Sequence, residues 1–167
     1  MKRVLLTGMS GTGKSTVICE LTARGYKAVD ADSDEWSKWV DYVVTPGELG
    51  SPVEPNRDWV WREDRIQSLL SMEDADILFV SGCAMNMVEF YPQFDHVILL
   101  SAPATVIVER LATRTNNPYG KHPDEVARVL DLIQTIEPLL RNAAGYEIDT
   151  SAPLDQVVAA VLQLART

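Results

Sequence analysis

Gly8-Met9-Ser10-Gly11-Thr12-Gly13-Lys14-Ser15 is the stretch on which the reading of this chain turns. It fits G-x-x-x-x-G-K-[ST], the pattern in which a glycine-rich turn aims backbone N–H groups at phosphate oxygens and hands the chain to a helix N-terminus with its partial positive charge. Average residue frequencies produce the bare pattern by accident in roughly one chain of this length in a few hundred. The flanks make it specific. Val4-Leu5-Leu6 before it is a short apolar run suited to a buried strand over Lys2–Thr7. Val17, Ile18 and Leu21 after it recur at helical spacing until Gly25 offers a stop. Strand, loop and helix are the context in which Gly8, Gly11, Thr12 and Gly13 wrap phosphates and Lys14 reaches the β and γ phosphates of a nucleotide. In that context the Ser15 hydroxyl is a ligand for Mg²⁺, and Thr16 helps hold the α phosphate.

The strand-helix alternation continues outward. Lys27–Val29 reads as a second strand, leading into the acidic cluster Asp30-Ala31-Asp32-Ser33-Asp34. Ile77–Val80 and Val97–Leu100 read as buried strands and Tyr146–Asp149 as a last one. Helices are expected from Asp58, as a cap, through Arg62, Ile66, Leu69 and Leu70; from Asp124 to about Ile136, with Pro138 as a kink; and from Leu154 to Leu164. A short helix is expected from Trp36 to about Val43, and Pro46, Gly47, Gly50, Pro52 and Pro55 make the following stretch a loop. Ser101-Ala102-Pro103 and Ser151-Ala152-Pro153 both read as helix starts, with serine as cap and proline in the first turn, so their likeness is capping grammar and not a repeat. The sum is an α/β chain of three layers, a mainly parallel and five-stranded sheet covered by helices on both faces.

Composition narrows the function. A length of 167 residues suits one domain. The apolar runs fall far short of the ~20 residues that cross a bilayer, so no membrane partner is expected. Met1-Lys2-Arg3 precedes too short an apolar run for a signal peptide, which implies a cytoplasmic protein. A formal net charge of -9 repels a long phosphate backbone and argues against extended nucleic acid, while leaving a locally gripped anion possible. Cys19 and Cys83 stand in no metal-ligand spacing and read as small buried hydrophobes.

Switch GTPases and motor ATPases commonly end an apolar strand with an acid, whereas Ile77–Val80 runs into Ser81-Gly82-Cys83. No Asn-Lys-x-Asp segment selects guanine, which favours ATP. The required acid therefore comes from the cluster after the second strand. Asp30 is placed to hold Mg²⁺ through water, and Asp32 to face an acceptor.

These residues resemble the shikimate kinase and gluconate kinase branch of the nucleoside monophosphate kinase-like superfamily. Asp30-Ala31-Asp32 is similar to the Asp-x-Asp of shikimate kinases, where the first acid serves Mg²⁺ and the second contacts the acceptor hydroxyl. Trp61-Arg62 looks like the Phe-Arg pair whose arginine grips the substrate carboxylate. Ser81-Gly82-Cys83-Ala84 stands where shikimate kinases carry a triple glycine, so the resemblance puts Gly82 at the acceptor, although the segment departs from the pattern. Arg110-Leu111-Ala112-Thr113-Arg114 resembles the R-L-x-x-R before the lid of such kinases. By that resemblance Arg110 stacks on adenine, while Arg114, with Lys121 from a lid over 115–122, neutralises the transferring phosphoryl group. An acceptor-binding insert is implied over about 33–72.

Plainer readings stand beside these. Arg110 and Arg114, four apart, also fit a solvated helix face. Asp30, Asp32 and Asp34 also fit a turn, and Arg62 a surface pair with Asp58, with Arg65 pairing Glu63 or Asp64. His96 and His122 read as structural. Trp36, Trp39, Trp59 and Trp61 all fall between the acidic cluster and Arg62; they fit an aromatic wall for a sugar or base, or a small core. The function expected is transfer of the ATP γ-phosphoryl group to a hydroxyl of a small molecule, with Asp32 orienting or deprotonating the acceptor and Lys14 and Arg114 stabilising charge. The alternatives are a nucleoside monophosphate kinase that holds the acceptor phosphate on Arg62 and Arg65, and an ATP-binding regulatory protein that transfers nothing.

Overall fold

A computed structural model describes residues 1–41 and 57–167; the expected loop at Pro46–Pro55 lies outside the described residues. Five strands form one sheet: β1 (Lys2–Thr7), β2 (Lys27–Asp30), β5 (Ile77–Ser81), β6 (His96–Ser101) and β7 (Tyr146–Asp149). Their order is β2-β5-β1-β6-β7, and every pairing is parallel. Parallel strands need crossovers, and the helices that supply them cover both faces, so alternate residues of one strand enter opposite cores. Val4 and Leu6 pack with Val17, Ile18 and Leu21 of α1 (Lys14–Ala23) and with Val158 and Val161 of α6 (Leu154–Ala165). Leu5, Leu78, Val80 and Leu99 point the other way, into a core closed by α2 (Glu63–Leu70), a 3₁₀ segment at Met87–Gln93, α4 (Pro123–Thr135) and α5 (Glu137–Ala143). α3 (Ala104–Thr113) packs Ile107 and Leu111 on Val129 of α4. The reversal of strand order between β1 and β6 leaves a crevice at the strands' C-terminal ends, the usual ligand position in such sheets.

Five expectations are corrected. Trp36 to Asp41 does not form a helix: β3 (Ser37–Asp41) pairs antiparallel with β4 (Arg57–Trp61). The cross-strand partner supplies packing that a window of eight residues does not reveal, and aromatic and β-branched residues accept a strand readily. The rest of that predicted helix, to Val43, lies outside the described residues. Asp58 is consequently a strand residue opposite Val40, and α2 begins at Glu63 after Arg62. Pro138 stands in the first turn of α5, and the chain breaks at Ile136 between two helices instead of kinking one. Neither Ser101 nor Ser151 caps a helix. Pro103 and Pro153 are the N-cap residues, while Ser101 Oγ donates to Glu147 at 2.7 Å and Ser151 Oγ to Asp149 at 2.6 Å. Cys19, expected to be a small buried hydrophobe, is exposed at the surface of α1, and Cys83 is half-buried.

The β3–β4 hairpin is fastened beside the crevice by identifiable bonds. Asn86 accepts from the Trp61 backbone N–H at 2.8 Å and donates to the Trp61 carbonyl at 3.0 Å. The Met85 N–H donates to the Trp59 carbonyl at 3.0 Å. One face of the hairpin runs Ser37/Trp61, Trp39/Trp59, Asp41/Arg57, from fully buried Ser37 and Trp61 outward to the tip. Trp61 packs on Phe90 and Phe94, so one tryptophan pair divides between core and open face according to distance from the sheet.

Candidate active site

The phosphate loop spans the end of β1 and the start of α1, with Gly13 as N-cap in the left-handed region. Thr12 is buried, and its hydroxyl donates to the Met9 carbonyl at 2.8 Å, which holds the turn. Lys14 Nζ folds over the loop and donates to the carbonyls of Gly8 at 2.7 Å and Met9 at 3.1 Å. Ser15 Oγ donates to Asp30 Oδ2 at 2.7 Å, and Asp30 Oδ1 accepts from the Asp32 N–H at 3.0 Å and the Ser81 hydroxyl at 3.4 Å. A hydroxyl and one carboxylate in contact at the helix start are the hard oxygen donors that fit Mg²⁺, which keeps several waters and takes its other ligands from phosphates. No larger cluster of acidic, His or Cys side chains suited to a metal occurs among the described residues.

Asp32 follows β2 and enters a cavity of about 570 Å³ together with Lys14, Trp39, Trp59 and Cys83. Its Oδ1 accepts from the Trp59 indole N–H at 3.2 Å and from the Cys83 backbone N–H at 3.1 Å. Burial raises the carboxyl above its ordinary value; Lys14 and the Cys83 N–H oppose that, Asp30 adds to it and the Trp59 N–H opposes it. Burial likewise pushes the Cys83 thiol up to about 11, so it remains an uncharged thiol at neutral pH.

The other end of the cavity is built by α3. Arg110 Nη1 donates to Thr150 Oγ1 at 2.9 Å and to the Gly11 carbonyl at 3.3 Å, and Nη2 donates to the Thr150 carbonyl. Arg114 Nη2 donates to the Tyr119 carbonyl at 2.6 Å and to Ser10 Oγ at 3.4 Å, and Nε to the Asn117 carbonyl at 3.2 Å. Both guanidinium groups therefore face the phosphate loop, not solvent alone. Burial lowers the Arg114 guanidinium from its ordinary value, but an arginine keeps its proton in proteins.

Gly11, Gly13, Lys14, Ser15, Thr16, Asp32, Arg110 and Arg114 all line the cavity. Gly8, Thr12, Asp30 and Gly82 do not line it; a Cβ on Gly82 would come within 3.4 Å of Asp32 Oδ1 and 3.0 Å of the Trp61 indole nitrogen. Arg62 is not brought in: its Nε donates to the Asp34 carbonyl at 3.0 Å, and Arg65 turns to the Glu35 carbonyl. Lys121 also points elsewhere, onto the Ala112 carbonyl at 2.6 Å. His122 caps α4 in a capping box with Glu125.

Two participants escaped the sequence reading. Asn86 fastens the hairpin, and Thr150, in the loop between β7 and α6, joins the phosphate loop to Arg110. The Thr150 hydroxyl donates to the Thr12 carbonyl at 2.6 Å while accepting from Arg110. Only its place directly after the strand at Tyr146–Asp149, at the end where ligands bind, marked it. Thr150→Val removes the hydroxyl at nearly constant volume and costs about 1–3 kcal/mol in unmade bonds. Nucleotide affinity is expected to fall roughly tenfold, measured by titration calorimetry with ATP, with Thr150→Ser restoring it.

A family model described as AAA domain matches residues 4–131. The chain is similar to shikimate kinase of Caldicellulosiruptor bescii, 24% identical over 159 residues, with 90% of this chain and 87% of the relative covered. It is also similar to shikimate kinase of Acinetobacter baumannii strain AYE, 26% identical over 163 residues, covering 90% and 84%. Among solved structures, a shikimate kinase from Acinetobacter baumannii in complex with shikimate superposes with a TM-score of 0.64 at 21% identity, covering 98% of this chain and 92% of that one. The shikimate kinase from Bacteroides thetaiotaomicron superposes with a TM-score of 0.66 at 19% identity, covering 99% of both. With its phosphate loop, parallel sheet and matched family, this chain belongs to the AAA domain family and is a P-loop small-molecule kinase similar to shikimate kinases.

Proposed function

We propose that this ATP-dependent kinase moves the γ-phosphoryl group in line to a hydroxyl of its small acceptor, within one domain of residues 1–167 whose insert at about 33–72 receives the acceptor and whose 115–122 segment is the lid. The supporting observation is the cavity that Lys14, Arg110, Arg114 and Asp32 share, because a phosphoryl donor, charge-stabilising cations and an acceptor-side base are what the reaction needs together. Lys14 leaves the Gly8 and Met9 carbonyls for the β and γ phosphates. Arg110 holds the base and Arg114 the transferring group. Asp32, its Oδ1 fixed by Trp59 and Cys83, orients the acceptor hydroxyl and takes its proton. Ser15 and Asp30 would hold Mg²⁺, which would supply positive charge against the phosphates when bound.

The relatives' acceptor, shikimate, and gluconate are the first compounds to try. The nucleoside monophosphate reading is weaker, since Arg62 and Arg65, its phosphate holders, are engaged by the Asp34 and Glu35 carbonyls. A coupled ADP-release assay with Mg-ATP decides: stimulation of at least ~100-fold over background ATPase by one hydroxyl compound is expected, as a water-excluding site protects the donor until the acceptor arrives. Folded, ATP-binding protein whose ADP release no hydroxyl compound stimulates would sink the reading.

A further inference from the structure

The acceptor end of the cavity has a chemistry of its own. Trp39 and Trp59, directly opposite on β3 and β4, stand with ring centroids 4.9 Å apart at 57°, and both line the cavity beside Asp32 and Cys83. Trp59 is locked by its bond to Asp32 Oδ1, so the carboxylate and the aromatic surface hold a fixed relation. The Arg57 guanidinium carbon lies 4.7 Å from the Trp39 ring centroid, an arrangement that fixes the ring's orientation.

Cations are scarce here. Among the described residues Lys14, Arg110 and Arg114 are the Lys and Arg side chains that line the cavity, and all three belong to the phosphate donor. Arg62 and Arg65 point to backbone carbonyls outside it. The sequence between Asp41 and Arg57 contains no Lys or Arg, and carries Glu48 and Glu54. An acceptor with a carboxylate or phosphate would bring a second anion beside Asp32, while the Arg57 guanidinium next to this surface is already engaged with the Trp39 ring. An uncharged acceptor with a flat face meets instead two indole rings and an un-ionised thiol.

We propose that the acceptor is an uncharged alcohol attached to a planar ring, stacked on the Trp39/Trp59 surface with its hydroxyl turned to Asp32, and not a carboxylic acid or a phosphate ester. This rests on the phosphotransfer reading above. The step balances as follows: the acceptor O–H gives its proton to Asp32, its oxygen bonds to the γ phosphorus, the bond from that phosphorus to the β,γ-bridging oxygen breaks, and ADP leaves. Two sources share this chemistry, nucleosides and aryl-substituted alcohols.

The test uses the full chain with Mg and γ-labelled ATP, following label transfer and tryptophan fluorescence in parallel. The panel is adenosine, cytidine, benzyl alcohol and phenylethanol, against shikimate, gluconate, AMP and CMP, with glucose as a neutral compound lacking a flat ring. Transfer to nucleosides, or to aryl alcohols, with fluorescence quenching supports the inference and separates the two sources. Trp39→Ala is then expected to raise the acceptor KM about tenfold or more with the KM for ATP unchanged. Trp39→Phe should restore most of it, and Lys38→Ala, on the opposite hairpin face, should change nothing. Preferred transfer to shikimate, gluconate, a nucleoside monophosphate or glucose overturns the inference while phosphotransfer stands. Quenching by ring compounds without transfer keeps the recognition and removes the phosphotransfer reading. Neither quenching nor transfer with any ring compound overturns the inference.

Discussion

Asp32→Asn is expected to lower phosphoryl transfer by a factor on the order of 10²–10⁴, the usual worth of a positioned general base, while ATP affinity changes little. The carboxamide oxygen can still accept from the Trp59 indole and the Cys83 N–H, so the hairpin stays in place and the loss is chemical. Burial raises the Asp32 carboxyl, and the base works only when ionised. The acid limb of kcat/KM for the unmodified enzyme should therefore lie above the ~4 of an ordinary aspartate, with activity falling as pH drops through the raised value. The stability effect has the opposite sense. A carboxyl whose folded-state value exceeds its unfolded one binds more protons when folded, so stability falls as pH rises from the unfolded value to the folded one, and the cost is fully present above it. Asn carries no such charge, so the variant should unfold at an equal or higher temperature than the parent at pH 8. Undiminished transfer in the variant would remove Asp32 from the reaction. Lost transfer accompanied by lost stability would make its role structural.

The second large effect belongs to Gly8. A Cβ there would meet the Leu100 carbonyl oxygen at 2.3 Å and Thr12 Oγ1 at 2.8 Å, at a φ of +155°. Leu100 lies in β6, paired with β1 through Leu6 and Thr7, so the nearer wall is backbone fixed in the sheet, and the Thr12 hydroxyl is held by its bond to the Met9 carbonyl. Gly8→Ala must push the loop off the sheet. A cost of at least ~2 kcal/mol is expected, or about 4–8 °C in unfolding midpoint for a chain of this size. Because the displaced segment carries the Gly8 carbonyl on which Lys14 rests, nucleotide affinity should fall by about 100-fold or more. Thermal unfolding with and without Mg-ATP reads both: the parent gains stability from the ligand and the variant does not. Gly25→Ala is the control. Its φ is +87° with nothing within 4 Å, so it should lose about 1 kcal/mol from backbone strain and keep the full ATP-induced shift.

The extent to which this site was legible follows from how local each signal is. The phosphate loop was readable because its chemistry is contiguous: eight residues supply the turn, the lysine and the hydroxyl, and the apolar runs beside them specify strand and helix. The three central strands were readable because a strand buried on both faces is apolar without interruption, as in Val4-Leu5-Leu6 and Val97–Leu100; the edge strands β2 and β7 carry charged residues and were readable from their place between helices. The pairing of Ser15 with Asp30 needed both motifs, and each was visible. The β3–β4 hairpin was not. Trp36-Ser37-Lys38-Trp39-Val40 has the same composition whether it coils or extends, and its partner begins at Arg57, across sixteen intervening residues.

What the sequence determined by itself is the donor half: a nucleotide phosphate site at the N-terminus of α1, an acid pair after β2 and a parallel sheet to carry them, since these depend on neighbours within a few residues. The tertiary structure alone decided the other end of the cavity, where the acceptor is proposed to bind. It turned Arg62 outward to the Asp34 carbonyl, drew Trp59 onto Asp32, divided the tryptophans between core and cavity, and recruited Thr150 to bind the Thr12 carbonyl and Arg110. The physical reason is range. A side chain's direction is fixed by the strand or loop that packs beside it, and where those partners are 25 to 140 residues distant no local pattern records which way it points.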